Sequence, residues 1–293
     1  MFYFSGYDAR EHIRAPYVTW TFLGVMCGVF SLHPSVDHFG FADILLRDPA
    51  DADLGERWAP LMVRFVTYVF IHQDWPHLLG NTITLWVFGR TVEDATVHWR
   101  FAALFFGAGI IAACFDAGFA RDPHAELAGA SGATAGIIAA FLLPHPKAWM
   151  LFGVGVLVFC MPASIAVAIW VMLNIYGAFH QSGDQSVTVA YWGHIGGFLG
   201  GLALLPWLRL PGVPLFQPAH PDEHGDFADF HLLEESVLKW LPRRLTGMDR
   251  ASRLQPGGAT MPRRLYREHL LAAVAKAVLF IVAFATFNFV TPE

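Results

Sequence analysis

The sequence predicts an all-α polytopic membrane protein, and its composition and its hydrophobic patterning both support that fold class. Hydrophobic residues make up 55% of the 293 residues, and charged residues make up only 15%, whereas a soluble domain carries about 25%. The apolar residues also form long runs with few charges, which is typical of helices in lipid. The net charge of -5 argues against a nucleic-acid partner.

Seven apolar segments are each predicted to form a membrane helix. In chain order they cover residues 16–32, 75–91, 99–115, 129–143, 162–179, 190–208 and 268–290. The fourth segment is short for a span of about 20 residues, so we expect its start to lie below the membrane surface. The apolar stretch 149–160 is rich in Gly and Val, and we expect it to be a buried extended or re-entrant piece.

The distribution of Lys and Arg predicts the orientation of these helices. With a cytoplasmic N-terminus, the outer segments carry only Arg47, Arg57, Arg64 and Arg121. The inner segments carry the remaining Arg and Lys of the loops, including the run from 209 to 267, as the positive-inside rule requires. The first ten residues lack a basic region ahead of an apolar stretch, which argues against a cleaved signal peptide. The short loops and the lack of a transit-like N-terminus favour a bacterial plasma membrane.

The domain organisation follows from these segments. We expect a cytoplasmic segment at 1–15, a six-helix core at 16–208, a polar cytoplasmic linker at 209–267 and a seventh helix with a short outer tail at 268–293. Residues 227–241 of the linker fit an amphipathic helix. Nearby acidic and histidine side chains match no metal-ligand spacing, so we predict a solvated linker and no metal site; they are His220, Asp222, Glu223, His224 and His231.

In this topology the second, fourth and sixth helices all start at the outer face. Their starts carry His77 with Asn81, then Ser131, then His194. Polar groups at that depth are costly and usually functional. The three helix starts therefore predict a site in the outer part of the bilayer.

Ser131 is a candidate nucleophile. It lies in the sequence Gly-Ala-Ser-Gly that starts at Gly129, at a predicted helix N-terminus, where free N–H groups favour an oxyanion beside the serine. Glycines on both sides allow an unusual backbone and close approach by a substrate. The alternative is that these four residues are only small packing residues of a membrane helix.

His194 is the candidate general base, because two glycine faces can bring its helix against that of Ser131. Gly193, Gly197 and Gly201 share one helix face, and Gly132 and Gly136 share another. Backbones approach closely at such faces, and a neutral imidazole could then take the serine proton. The alternative is a structural histidine bonded to a backbone carbonyl. No acidic residue clearly orients the ring, since Asp184 lies in a loop, so a Ser–His dyad is favoured over a triad.

His77 and Asn81 are four residues apart and share a helix face. Both side chains can donate hydrogen bonds to a developing oxyanion. The alternative is a helix cap and an amide bond between helices.

At these residues the sequence resembles the rhomboid family of intramembrane serine proteases. The matching motifs are Arg64-Phe65-Val66-Thr67 with Phe70, His72, Trp75 and His77 to Asn81, then Leu85 to Arg90 with Val92-Glu93-Asp94, then Gly129 to Gly132, and His194-Ile195-Gly196-Gly197. Their order and spacing agree with the family over residues 16–208. The resemblance implies a six-helix core to which the seventh helix is appended, hydrolysis of a peptide bond in a substrate's transmembrane segment, and no cofactor.

The resemblance also implies roles for individual residues. Ser131 would be the nucleophile and His194 the base, with the oxyanion bound by His77, Asn81 and the Ser131 amide. Trp170 would line a lateral substrate gate. Many rhomboids carry Tyr or Phe four residues after the serine, packed on the histidine ring, but this chain has Ala135. Tyr191 or Trp192 could hold the ring instead.

Two functions are therefore compatible with the sequence. The first is an endopeptidase that cleaves transmembrane protein substrates within membrane lipid. The alternative is a catalytically weak or silent relative that binds membrane helices as a chaperone or assembly factor. Inactive relatives usually lack the serine or the histidine, and this chain keeps both. The natural substrate and the oligomeric state are not predicted.

Overall fold

Helices account for most of the residues that the computed structural model describes, which are 2–5, 12–32, 34, 40–42, 61–120, 126–154, 157–181 and 189–217. The helices are α1 Tyr17–Ser31, α2 Leu61–Thr67, α3 Trp75–Thr96, α4 His98–Phe119, α5 Ser131–Leu142, α6 Ala163–His180 and α7 Tyr191–Leu208, with a 3₁₀ turn at Tyr68–Phe70. The first six predicted segments correspond to α1, α3, α4, α5, α6 and α7. The mostly helical fold is thus confirmed for this part of the chain.

The seventh predicted segment lies outside the described residues, so the total number of membrane helices stays a prediction. The same holds for the linker beyond 217, with its amphipathic helix and its histidine and acidic side chains, and for Asp184, Arg47, Arg57 and Arg121.

A small antiparallel sheet adds strands that an all-α prediction leaves out. Strands β4 (Trp149–Val154) and β5 (Leu157–Pro162) pair with each other, and β1 (Phe2–Ser5) pairs with β4. The stretch 149–160 is expected to be extended, and its described residues 149–154 and 157–160 do form paired strands, because β-branched residues suit a pleated backbone. A second ladder pairs β2 (Phe41–Ala42) with β3 (Glu126–Leu127).

The centre of the fold is the contact among α4, α5 and α7, where side chains are absent or small. A Cβ on Gly197 would overlap the carbonyl oxygen of Gly132, and one on Gly201 would overlap that of Gly136. On its other side, a Cβ on Gly136 would overlap the Cβ of Ala108 in α4. The two predicted glycine faces therefore meet, backbone against backbone, as small residues allow in membrane helices.

The end of α3 holds the start of α1 through a buried carboxylate. Glu93 is 0% exposed and accepts hydrogen bonds from the backbone N–H groups of Val18 (2.9 Å) and Thr19 (2.8 Å) and from the Thr19 hydroxyl (2.6 Å). The next residue, Asp94, accepts from the backbone N–H of His12 at 2.9 Å. Because the first N–H groups of a helix have no partner within it, these carboxylates fix where α1 joins the core.

Two of the described helices, α4 and α6, are long and apolar enough to cross a membrane. By the same criterion α1 and α5 are apolar but shorter. The predicted short fourth segment corresponds to α5, which has 12 residues.

Candidate functional site

The first part of the site is the start of α3, which Asp74 fixes. The Asp74 carboxylate accepts the His77 backbone N–H at 2.7 Å, and Pro76 lies in the first turn. An acidic N-cap followed by proline is a strong helix start. The His77 side chain therefore projects from the first turn, and Asn81, which is buried, follows one turn later.

The second part is the start of α5. Gly129 has φ of 105°, a conformation that favours glycine, and its N–H donates to the Tyr68 carbonyl at 2.9 Å. A Cβ at Gly129 would overlap the imidazole of His77. The N-cap residue Ala130 has no side chain that could bond the N–H groups beside Ser131.

Thr134 connects these two helix starts. Its hydroxyl lies 3.3 Å from Asn81 Oδ1 and 3.1 Å from the Ser131 carbonyl oxygen. The Asn81 amide nitrogen donates to the His77 carbonyl at 3.1 Å. Asn81 therefore faces the first turn of α5, where Ser131 lies.

The third part is the start of α7. A Cβ on Gly132 would lie 3.4 Å from the Gly193 carbonyl oxygen, so the residues next to Ser131 and His194 lie close together. The N–H of Gly193 donates to Asp116 Oδ1 of α4 at 2.8 Å, which caps α7 from another helix. A Cβ on Gly193 itself would meet only ordinary van der Waals contacts, the nearest at 3.6 Å.

The His194 ring is held from α6. Its Nδ1 donates to Oδ1 of Asn174 at 2.7 Å, and the Asn174 amide nitrogen donates to the Trp170 carbonyl at 2.8 Å. The rings of Trp170 and Tyr191 lie 6.1 Å and 6.3 Å from the imidazole. Ala135, four residues after Ser131, is completely buried.

The two aromatic candidates for holding the ring differ. Tyr191 meets the His194 ring edge to face, whereas Trp192 stacks on Phe119, with ring centroids 5.2 Å apart. Trp170, the predicted gate residue, is half-buried and also lies 6.1 Å from the Phe198 ring of α7. It therefore lies where α6 meets α7.

His72 lies in the loop ahead of α3, and its ring is 5.1 Å from that of His77. Burial and, to a smaller extent, the neighbouring His77 together lower the pKa of His72 to about 4. His72 is therefore neutral at physiological pH, with Nδ1 placed 3.2 Å from the Phe70 carbonyl oxygen.

Sequence reasoning missed two residues of this site, Asn174 and Asp116. Asn174 directly follows the apolar run 165–173 and Asp116 directly follows the apolar run 101–115, and a polar side chain at such a position is the signal that could have found them. Their partners, His194 and Gly193, lie far away in the chain and depend on how the helices pack. Within the described ranges, no three His, Cys, Asp or Glu side chains are grouped to hold a metal ion.

Comparison with known proteins shows the family of this chain. A model of the Rhomboid domain matches residues 60–211, just over half of the chain. The chain belongs to the rhomboid family. Rhomboid relatives are integral membrane proteins, and the apolar helices described above fit that setting.

Similar rhomboid proteins come from distant organisms. The chain is 31% identical over 166 residues to rhomboid protease GluP of Bacillus subtilis, covering 55% of this chain and 28% of that protein. It is 29% identical to Rhomboid-related protein 1 of Caenorhabditis elegans, covering 50% and 39%. It is 30% identical to the chloroplastic Rhomboid-like protein 11 of Arabidopsis thaliana, covering 54% and 57%. The chain thus spans less than two thirds of the length of each of these relatives.

Proposed function

We propose that this rhomboid-family protein is an intramembrane serine endopeptidase, with Ser131 as nucleophile and His194 as general base. The observation that supports this best is the meeting of the first turns of α5 and α7, with the His194 ring bonded through Nδ1 to Asn174. A neutral imidazole bonded in this way keeps its Nε2 lone pair free to accept a proton.

The reaction follows the serine hydrolase scheme. Ser131 Oγ attacks the scissile carbonyl while His194 Nε2 takes its proton, which gives a tetrahedral oxyanion. The oxyanion accepts hydrogen bonds from the Ser131 N–H and from the side chains of His77 and Asn81. The imidazolium then protonates the leaving amine as the C–N bond breaks, and water hydrolyses the Ser131 ester with the same base.

The proposed substrate is a membrane protein that is cut in or near a transmembrane segment. Helix α6 leaves large apolar side chains exposed, including Met172 (67%) and Phe179 (57%), which suits contact with lipid or with another apolar helix. We propose entry past Trp170 to a site that opens to the outer side, with a cytoplasmic N-terminus. In the proposed organisation the core is 16–208, and the linker 209–267 and the seventh helix 268–293 are appended to it.

The test of the proposed activity uses the full chain, purified and reconstituted in liposomes. We expect wild type to react with a fluorophosphonate serine probe and to cleave a model transmembrane substrate. Ser131→Ala and His194→Ala should each lower the cleavage rate by about 10³-fold or more. Thr21→Ala is the control, because Thr21 is exposed and its hydroxyl donates to the Tyr17 carbonyl of its own helix.

The alternative function has a distinct outcome in the same experiment. If folded wild type neither reacts with the probe nor cleaves the substrate, the endopeptidase proposal fails. Capture of the uncleaved transmembrane segment by wild type and by Ser131→Ala alike would then assign the protein to helix binding.

The oxyanion donors give a second prediction. His77→Ala and Asn81→Ala should each lower kcat by about 10²- to 10³-fold and change KM little, because a donor to the oxyanion acts in the transition state. Gly80→Ala is the matched control, since it lies on α3 between them and an added Cβ would meet no atom within 4 Å. Steady-state cleavage kinetics in liposomes measure both constants. Equal kcat in His77→Ala, Asn81→Ala and Gly80→Ala would remove the two side chains from the mechanism.

A further inference from the structure

We infer that Asn174 is a positioning residue that fixes the tautomer and the orientation of the His194 ring, and this inference rests on the proposed function. Asn174 lies on α6 and is 5% exposed. Its side chain bridges a backbone carbonyl of its own helix and the imidazole on α7. The proposed dyad would thus have a third member that supplies no charge.

The Trp170 carbonyl decides which way the Asn174 amide points. A carbonyl oxygen only accepts hydrogen bonds, so the atom 2.8 Å from it is the Asn174 NH₂ group. The amide oxygen then faces His194 Nδ1 at 2.7 Å. The helix backbone therefore holds an acceptor, and not a donor, against the ring.

An acceptor at Nδ1 selects one form of a neutral imidazole. Nδ1 must carry the proton, so Nε2 carries the lone pair. That lone pair is what a general base presents to a serine hydroxyl. A ring with the opposite tautomer would present an N–H to Ser131 and could not take its proton.

The same turn of α6 also limits the tilt of the ring. Trp170 and Asn174 are one helical turn apart, and the Trp170 ring lies 6.1 Å from the imidazole, tilted by 30°. On α5, the residue four positions after Ser131 is Ala135, whose side chain is only a methyl group. The Trp170 ring and the Asn174 amide of α6 therefore contact the imidazole together with Tyr191 of α7.

The direct test reads the tautomer by ¹⁵N NMR of histidine-labelled protein in liposomes, in a Ser131→Ala background. Subtracting the spectrum of a His194→Ala variant isolates the His194 signals. We expect protonated Nδ1 and unprotonated Nε2 with Asn174, and a mixture of tautomers in Asn174→Leu, which keeps the side-chain volume but removes the acceptor. Asn174→Asp, which keeps an acceptor oxygen, should retain the Nδ1–H form.

Cleavage kinetics of variants that keep Ser131 supply the second readout. Asn174→Leu should lower kcat about 10- to 100-fold with KM nearly unchanged, and Asn174→Asp should recover most of that loss. Thr21→Ala is again the control for loss of a helix polar bond. Asn174→Leu with a wild-type tautomer and wild-type kcat would overturn the inference, as would Asn174→Asp losing the Nδ1–H form.

The two readouts separate this inference from the proposed function. The tautomer is measured in a protein without the nucleophile, so it does not depend on activity. A tautomer change in Asn174→Leu together with an inactive wild type would support the positioning role and reject the endopeptidase. An unchanged tautomer in Asn174→Leu together with a wild type that cleaves the substrate would support the endopeptidase and reject the positioning role.

Discussion

Gly197→Ala is expected to destabilise the core and to abolish most activity, because the added Cβ would occupy the position of the Gly132 carbonyl oxygen. That atom belongs to the backbone of α5, so no side-chain rotation can relieve the overlap. Overpacking of this kind costs about 3 kcal/mol, and α7 would have to move away from α5. The displacement separates His194 from Ser131, and a shift of about 1 Å costs roughly 10²-fold in rate.

Gly28→Ala on α1 is the matched control for Gly197→Ala. A Cβ at Gly28 would meet no atom within 4 Å, so the change should be neutral or should stabilise α1 by up to about 1 kcal/mol through helix propensity. Unfolding curves in mixed detergent micelles measure both free energies, and reactivity toward the fluorophosphonate probe reports the site. Equal stability and reactivity of the two variants would contradict the backbone contact between α5 and α7.

Glu93→Ala is expected to lower the stability by a similar amount. Glu93 lies near the C-terminal end of α3, away from His77 and Asn81 at its start. The change leaves the N–H groups of Val18 and Thr19 and the Thr19 hydroxyl without their acceptor. Unpaired buried donors are costly, and bonds to a charged group are worth more than neutral ones. We expect a loss of about 3 kcal/mol in the free energy of unfolding.

Glu93→Gln serves as the graded comparison, since it keeps one acceptor oxygen and the side-chain length. It should lose less than Glu93→Ala. Both variants, if they remain folded, should keep the Ser131 probe reaction, because Glu93 contacts α1 and His98 of α4 and not the site. Protease sensitivity of the segment ahead of α1, together with unfolding curves, measures the loosening. An Ala variant as stable as wild type would show that the carboxylate does not hold α1.

The long helices could be predicted because an uncharged apolar run has few other structures available in lipid. The meeting of α5 and α7 could be anticipated because glycines at a spacing of four, such as Gly132 and Gly136, mark a close helix face. Helix α2 was missed because its 7 residues are too few to give a membrane signal. The paired strands β4 and β5 could be expected only as extended chain.

The partners of the buried polar residues could not be predicted. A single Asn on an apolar helix can bond to many different backbone and side-chain groups of its neighbours. The bond between Asn174 and His194 forms because α6 and α7 pack in one particular rotation. Asp116 likewise caps α7 from α4 across 77 residues of sequence. Hydrophobic patterns determine which face of a helix is buried, but they do not determine the rotation that pairs two particular atoms.

The bond between Asn174 and His194 also has a consequence for timing. It joins α6, the helix past which a substrate would enter, to the base on α7. If α6 moves outward to admit a transmembrane segment, it takes the acceptor away from Nδ1, and the imidazole loses its defined tautomer. The protein would then be inert while open and become competent only when α6 returns. Such an interlock would spare membrane helices that pass the opening briefly, and it would leave cleavage to those that remain until it closes.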